Sequence, residues 1–521
     1  MLGKMNPQLN MSDMDGWFNK IPKQSFWHQL RVWAEQNMHE DDFAHLFSNT
    51  TGRSSIPPQI TFTAMFIMLN KGYTYREMPE AAMFDDRIKY ALGLSRTPEY
   101  VLTRSTLNRH HQLFMEDETV RKYLKKTLQD AVELGMFEGC DSDLVDSFMI
   151  TGATSRRDTY TLIISAVNLV LKTAAEEDRL NLKELLEYNA YDYRGKPKIN
   201  WDDQAEKQKL LAVLVLDARR LNEHICALPE ISEELKSATQ LLELVSEQDI
   251  EEKDGNIQIA RKTNKDRVIS VTDPEMRHGR KTSSQKSDGY KGHVLAGGKD
   301  HSLITATAVT AANVADGEAV EELLEQRAEN VSEPLKKLSG DTAYGGARMR
   351  VNMQEKNIEL VAKVPPATNP TGHFTKDEFQ IDLENKTIRC PANYTIELKK
   401  AGSHKFSAAI CNKCALLSQC TSSTNGRVVV IHEHEAILQK ARLEQETPEF
   451  KEEYRLRPRV ERVIENQTSN GAREARYYGK QKTGFQLMVH AVIHNFRTIA
   501  RFLEKLSEAD NLELPVAVNT S

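Results

Sequence analysis

Three acidic residues stand where a carboxylate needs an explanation. Asp146 lies inside DLVDSFMI, an apolar run with β-branched and aromatic members, and a carboxylate in such a strand is costly unless a partner or a metal ion offsets it. Asp341 ends a second short run, KKLSGD, just before the turn DTAYGG, and Glu461 sits in an arginine-rich segment near the C-terminus. Carboxylates from neighbouring strands and a facing helix can hold two Mg²⁺ (or Mn²⁺) ions about 3.5 to 4 Å apart, one activating an attacking oxygen and one stabilising the leaving oxygen of a phosphodiester. An Asp before glycine equally makes a plain turn. Asp273, in VTDPE, and Asp288 are second choices for the same metal site or simple turn residues. Asp316, in ANVADGEA, is most economically a helix N-cap.

Net charge is −6, which on its face disfavours an anionic partner, but the average conceals a division. Residues 171 to 260 hold 20 Asp and Glu against 12 Lys and Arg, which leaves the rest of the chain slightly basic. Arg455, Arg457, Arg459, Arg462, Arg473, Arg476, Lys480 and Lys482 crowd one segment against Glu461, Glu465 and Glu474. Such a stripe can neutralise phosphates, although a solvated helix face has the same composition. The cysteines form a separate set: Cys411-x2-Cys414-x5-Cys420, with Cys390 after an expected strand. In a reduced compartment this favours a closed structural zinc site over disulfides, the alternative being unliganded thiols. Cys140 and Cys226 read as isolated core residues.

These residues need positioning elements. The 521 residues suggest three or four domains, and 40% hydrophobic with 28% charged residues is a soluble, globular balance without a membrane-length apolar run. The N-terminus has no secretory apolar core, which places the chain in the cytoplasm. Helical periodicity marks residues 1–139, notably ITFTAMFIMLNKG and ETVRKYLKKTLQDAVELGMF, with Ser105 and Asp117 as caps. RSTLNRHHQLF suits the second helix of a helix-turn-helix, with Arg104, Asn108, Arg109 and His110 facing DNA, or equally an ordinary bundle. Residues 159–265 read as an acidic helical insertion between strand DLVDSFMI (within 140–158) and a second core segment, 266–365. There RVISVT, YKGHVLAGG, SLITATAVT, KKLSGD and IELVAKV read as strands, with GGKDHS as a hairpin turn and helices through GEAVEELLEQRAE and ARMRVNMQEK. Residues 366–438 are a cysteine-rich β insertion, 439–508 a helical part carrying Glu461, and 509–521 a disordered tail. The class is α/β, a mixed sheet flanked by helices.

YRLRPRVE sets Tyr454, Arg457 and Glu461 in the spacing Y-x2-R-x3-E, which resembles the YREK signature of DDE insertion-sequence transposases. GRSSIPP, YREMPEAAMFDDRIKYALGL, VDSFMITGA, VTDPEMRHGRK with GYKGH, GDTAYG and GAREARYYG are similar, in that order, to the eleven-eighty-two group of these elements. The resemblance implies an RNase H-like catalytic core with Asp146, Asp341 and Glu461 as the catalytic, metal-holding trio. It also implies phosphate contacts from Tyr454 and Arg457, and a double-stranded DNA partner: the terminal inverted repeats, cleaved and joined to target DNA, with at least a homodimer at synapsis. Arg473, Arg476, Lys480, Lys482 and Arg109 are further DNA-contact candidates. The signature lysine would fall at Thr468, so Lys480, Lys482 or Arg473 takes over its contact or the contact is absent. Pro458 makes a helix start or kink there. Two other readings share these residues: a decayed or repurposed DNA-binding protein, and a nuclease that only hydrolyses.

Overall fold

The computed structural model describes residues 4, 16–48, 54–97, 100–193, 195–253, 255–262, 264–280 and 285–510, so residues 511–521 of the expected tail lie outside it. At its centre is β1 (Ser142–Thr151), the DLVDSFMI run. Next come β2 (Arg277–Arg280), the long β3 (Lys286–Gly297), β4 (Leu303–Ala311), β5 (Lys337–Ser339) and β6 (Glu359–Val361). β1 pairs antiparallel with β3, from Leu144 opposite Ala296 to Thr151 opposite Gly289, and parallel with β5 on its other edge. β3 also pairs antiparallel with β4 and, at its beginning, with β2, while β6 runs parallel beside β5. The result is a mixed sheet, antiparallel on one side of β1 and parallel on the other.

Alternation along β1 and β3 divides two cores between the faces of this sheet. Val145 and Leu295 face helices Val320–Asn330 and Ala347–Glu355, packing with Leu323, Met349 and Met353. Phe148, Ile150, Tyr290 and Val294 join a larger core with the N-terminal helices and the long helix Lys480–Asp510. Helix Pro58–Lys71 is buried on all sides, with Pro58 in its first turn where the missing N–H costs nothing. Arg476 fastens this helix to the C-terminal segment by donating to the carbonyls of Met68 and Tyr73. Among the described residues no helix is long and apolar enough to cross a membrane.

The acidic insertion keeps a core of its own. Helices Thr159–Thr173, Gln204–Cys226 and Glu233–Glu247 pack Leu162, Val167, Leu214, Leu221 and Leu242 together. Buried Asp217 ties that core to its loop by accepting from the Glu187 and Tyr188 amides and the Tyr191 hydroxyl. A second small core, built on Phe379, Ile388, Phe406, Val429 and Ile431, holds the cysteine-rich sheets.

Several expectations are corrected. RVISVT is not a strand: Val268 plugs the insertion core and Ile269 the bundle core, and the amide and carbonyl of Val268 bond Gln248 instead of a ladder. Strand β5 stops at Ser339, two residues short of Asp341. Thr103 rather than Ser105 caps helix Arg104–Glu116, accepting from the Thr106 amide. The helix after Asp117 starts at Thr119 with Glu118 in the cap position, although the Asp117 carboxylate still accepts from the Thr119 amide. Cys226 is exposed and Cys140 half-buried, so neither is a core residue.

Candidate active site

The parallel register of β1 and β5 pairs Ser142 with Lys337 and Leu144 with Ser339. Extended by two residues, it sets Asp341 beside Asp146. Gly340 supports this continuation, because a Cβ there would meet Val145 Cγ1 at 3.0 Å and the Tyr344 ring at 2.9 Å. Only glycine lets the chain pass so close to β1. Asp341 then turns the chain: its Oδ1 accepts from the Ala343 amide at 2.8 Å, capping the turn Thr342–Tyr344.

Glu461 arrives from helix Pro458–Gln467, which packs its Val460, Val463 and Ile464 face inward. Pro458 is the first residue of that helix, so the proline starts the helix instead of kinking it. Arg457 precedes it and bridges the two acids: its Nη2 lies 2.8 Å from Glu461 Oε1 and 3.4 Å from Asp146 Oδ2. Those two oxygens are therefore no more than about 6 Å apart. Burial disfavours the guanidinium charge, but the Tyr454 hydroxyl, Asp146 and Glu461 outweigh it and hold Arg457 above its ordinary pKa. Tyr454 stacks on Phe450 with ring centroids 5.6 Å apart, and the Lys363 ammonium lies 5.0 Å from its ring centre.

Behind the acids lies a polar layer that sequence reasoning missed. Asp316 is no N-cap. Ala315 precedes its turn, and Asp316 Oδ1 accepts from Ser147 Oγ at 2.9 Å and lies 2.8 Å from Lys291 Nζ. Tyr344 is buried at 1% exposure. Burial, then the charges of Asp316, Asp146 and Asp341, push its phenol well above the ordinary value. His293, opposite Ser147 on β3, is kept neutral by burial, its pKa lowered to about 4. The one sequence signal for Tyr344 was its place in the glycine-rich turn after Asp341.

The second-choice acids lie elsewhere. Asp288 adjoins Gly289, which pairs with Thr151, five ladder positions from Asp146 and roughly 17 Å along the strand. Its carboxylate is held by His278 Nδ1 at 2.6 Å and by Arg156. Asp273 is buried and accepts from the Tyr290 hydroxyl at 2.5 Å.

The basic candidates divide by exposure. Arg473, Lys480 and Arg109 are exposed and Lys482 is half-buried; Lys480 Nζ lies 3.3 Å from Glu275. Arg476, half-buried, is engaged through both terminal guanidinium nitrogens in the clasp on Met68 and Tyr73. His110 is fully buried, with Nδ1 2.9 Å from the Thr61 hydroxyl, and cannot face DNA. The helical face inward of Arg109 is Leu107, His110, His111 and Phe114, which leaves Arg104, Asn108 and Arg109 outward. Residues 92–103 separate this helix from the preceding one, Asp86–Ala91, a longer link than the 3–4-residue turn of a helix-turn-helix. Thr468, at the signature-lysine position, instead donates to the Glu465 carbonyl where its helix ends.

Cys390, Cys411, Cys414 and Cys420 line one small cavity of about 20 Å³. The Leu416 amide points at Cys414 Sγ at 3.4 Å, and burial raises the Cys420 thiol. Among the described residues, no three His, Cys, Asp or Glu side chains are drawn together closely enough to form a ready metal cage.

Two family models match the chain. One, described as a transposase DDE domain, covers residues 388–500, and the other, described as a transposase domain (DUF772), covers residues 16–113. No curated protein and no solved structure matches it.

Proposed function

We propose that this chain, which the two matched domains identify as a DDE transposase of an insertion sequence, cleaves the ends of its element and joins them to target DNA through Asp146, Asp341 and Glu461. The observation that carries the reading is the convergence of these acids: Asp341 follows the strand beside Asp146, and one guanidinium links Asp146 to Glu461. The sheet order supports an RNase H-like core, with three antiparallel strands on one side of the site and two parallel ones on the other. The helical segment 1–139 serves as a DNA-binding domain, 159–265 and 366–438 as insertions into the core, and 439–508 as the part that supplies Glu461. The work is done on duplex DNA in the cytoplasm by a homodimer at synapsis.

The donor set fits hard divalent cations: three carboxylates, one on β1, one just past the end of the neighbouring β5 and one on a helix. Bound there, Mg²⁺ or Mn²⁺ would activate water or a 3′-hydroxyl and stabilise the departing oxygen. Arg457 holds Asp146 and Glu461 together against their mutual repulsion and, with the acids otherwise satisfied, is free to turn to a phosphate. Tyr454, Lys363, Arg473, Lys480, Lys482 and Arg109 extend the phosphate contacts. Lys291 and Ser147 fix Asp316 behind the site, so Asp146 is presented from a strand that cannot roll.

The test is incubation of the full chain with a labelled duplex bearing the terminal inverted repeat that borders its reading frame, with Mg²⁺ or Mn²⁺, followed by mapping of cut and joined strands. Glu461→Gln should retain binding and lose cleavage by orders of magnitude, since it removes charge at nearly constant volume. Wild-type cleavage by this variant would overturn the trio. Binding without cleavage by the wild type would favour the repurposed binder, and cut but unjoined ends the nuclease.

For the cysteines the reading is a structural zinc site: the four thiols line one pocket, and a bound ion would have to draw them together. Purified, reduced protein should carry one zinc per chain, and Cys411→Ser with Cys414→Ser should lose it. Metal-free protein of full stability would remove this site.

A further inference from the structure

A cleft of about 890 Å³ opens beside the helix that carries Glu461, on the flank away from that acid. Its walls are helix Pro458–Gln467, the last turns of helix Lys480–Asp510 and the turn Lys299–His301. Five cations line it, Lys299, Arg459, Arg462, Arg501 and Lys505, against Asp300, Glu504 and Glu508. The acids do not close on them. Asp300 lies 3.4 Å from Arg459, and the other four cations have no ion-pair partner among the described residues. Arg462 and Arg501, on facing walls, each donate from Nε alone, to the carbonyl four residues back, at 3.4 and 3.2 Å. Both terminal nitrogens of each guanidinium are left unbonded, and that planar fork matches two oxygens of one phosphate.

A third arginine is held by a strained turn. Asp300 and His301 both have positive φ, 62° and 49°, a conformation that residues other than glycine adopt at a cost. His301 is buried there, its Nε2 2.9 Å from Ser142 Oγ of β1 and its Nδ1 3.4 Å from Arg459 Nη1. Both contacts of Arg459 use Nη1, which leaves Nη2 unbonded.

Helical geometry relates the cleft to the acids. At about 3.6 residues per turn, Val460, Val463 and Ile464 face inward, with Glu461 on one flank and Arg459 on the other. Exposed Arg462 stands on the outer side between them. β1 is covered between Ser142 and Asp146, since Leu144 is fully buried, so the way from the acids to the cleft runs over the helix. Glu461, Arg462 and Glu465 are exposed, and that outer surface is open to solvent. An α-helix is about 10–12 Å across, and duplex DNA carries a charge about every 1.7 Å of its axis. A duplex backbone that meets Glu461 therefore brings further phosphates over the opposite flank.

We propose that this cleft binds the phosphodiester backbone of duplex DNA, with Arg462 and Arg501 as phosphate forks from its two helical walls. The proposal rests on the transposase reading above and adds to it a contact surface on the far side of the helix of Glu461. Such a backbone belongs to the element's own end or to the target duplex.

The experiment measures salt-dependent binding of the full chain to the inverted-repeat duplex described above and, with a pre-cleaved end bound, capture of an unrelated target duplex. Arg462→Gln with Arg501→Gln should lower the log–log salt slope by about two and weaken binding roughly 30-fold at about 0.15 M salt. Thermal stability should hold, because both side chains are exposed. Glu504→Gln with Glu508→Gln should tighten the same binding severalfold, a gain that misfolding cannot imitate. A fall on the inverted repeat assigns the cleft to the element's end, and a fall in capture alone assigns it to the target. Unchanged affinity and slope on both duplexes in the arginine variant, or no tightening in the glutamate variant, would overturn the cleft and leave the transposase reading standing. A wild-type protein that binds neither duplex would overturn both.

Discussion

Acidification should loosen the helical bundle well before carboxylates begin to titrate. His110, His111 and His490 are exposed by 0%, 0% and 3%, and each is buried among aromatic or helical neighbours. His110 sits edge-on to Phe47, His111 contacts the Thr61 carbonyl and the Tyr75 hydroxyl, and His490 feels the Arg476 charge. Burial lowers their pKa values to about 4, about 3 and about 4. In the unfolded chain a histidine titrates near 6.5. Because the folded values are depressed, the unfolded state takes up protons first as pH falls. The stability is therefore complete above about 6.5 and is lost from there down towards 4. At pH 5 each histidine has forfeited about 1.5 units at about 1.4 kcal/mol per unit, or about 6 kcal/mol for the three. Asp143, raised by burial beside Arg327, works in the opposite sense, with at most one proton. His293 and His494, also lowered to about 4 by burial, add to the loss, so it is at least about 4 kcal/mol after Asp143 is counted, much of a typical domain's stability. Urea midpoints between pH 8 and pH 5 measure it, and His490→Gln should reduce the loss at pH 5 by about 2 kcal/mol. Stability flat across that range, or a slope the substitution leaves unchanged, would refute the assignment of these histidines as neutral core groups.

Arg476→Ala removes two charge-assisted bonds to main-chain carbonyls and should cost about 2 to 4 kcal/mol in denaturation, while the salt slope of DNA binding stays as in the wild type. A lowered slope at unchanged stability would return Arg476 to the phosphate contacts. Gly345→Ala puts a Cβ 1.8 Å from the Lys363 carbonyl, so the turn holding Asp341 must shift. Cleavage should fall at least tenfold with duplex affinity retained, and full cleavage would show that this turn does not position Asp341.

What the sequence disclosed followed from local patterning. Asp146 was visible as a carboxylate in an apolar run, and Arg457 and Glu461, four apart across a helix start, could be placed once Pro458 was taken as the first helical residue. Asp341 was legible as an acid near a strand end, but its place beside Asp146 depends on a parallel register between segments far apart in the chain. Asp316 was misjudged for the same reason: its donor Ser147 is 169 residues away, and local spacing offered only a cap. RVISVT has the composition of a strand, yet Val268 and Ile269 enter different cores, which no periodicity reveals. His110 belonged by polarity to a DNA-facing surface and by position to the buried stripe with Leu107 and Phe114, and position decided.

The parallel pairing of β1 with β5 also sets a timetable for the growing polypeptide. Ser142 must wait for Lys337 before that edge closes. At about 5 to 20 residues per second the interval is roughly 10 to 40 s on the ribosome. During it the insertion 159–265 can gather most of its own core, but one edge of the central strand stays open, and the acid on helix Pro458–Gln467 has yet to be made. The nascent chain thus passes through a long stage in which its strands are templates for aggregation and the proposed catalytic centre does not exist, and slower elongation would lengthen that exposure.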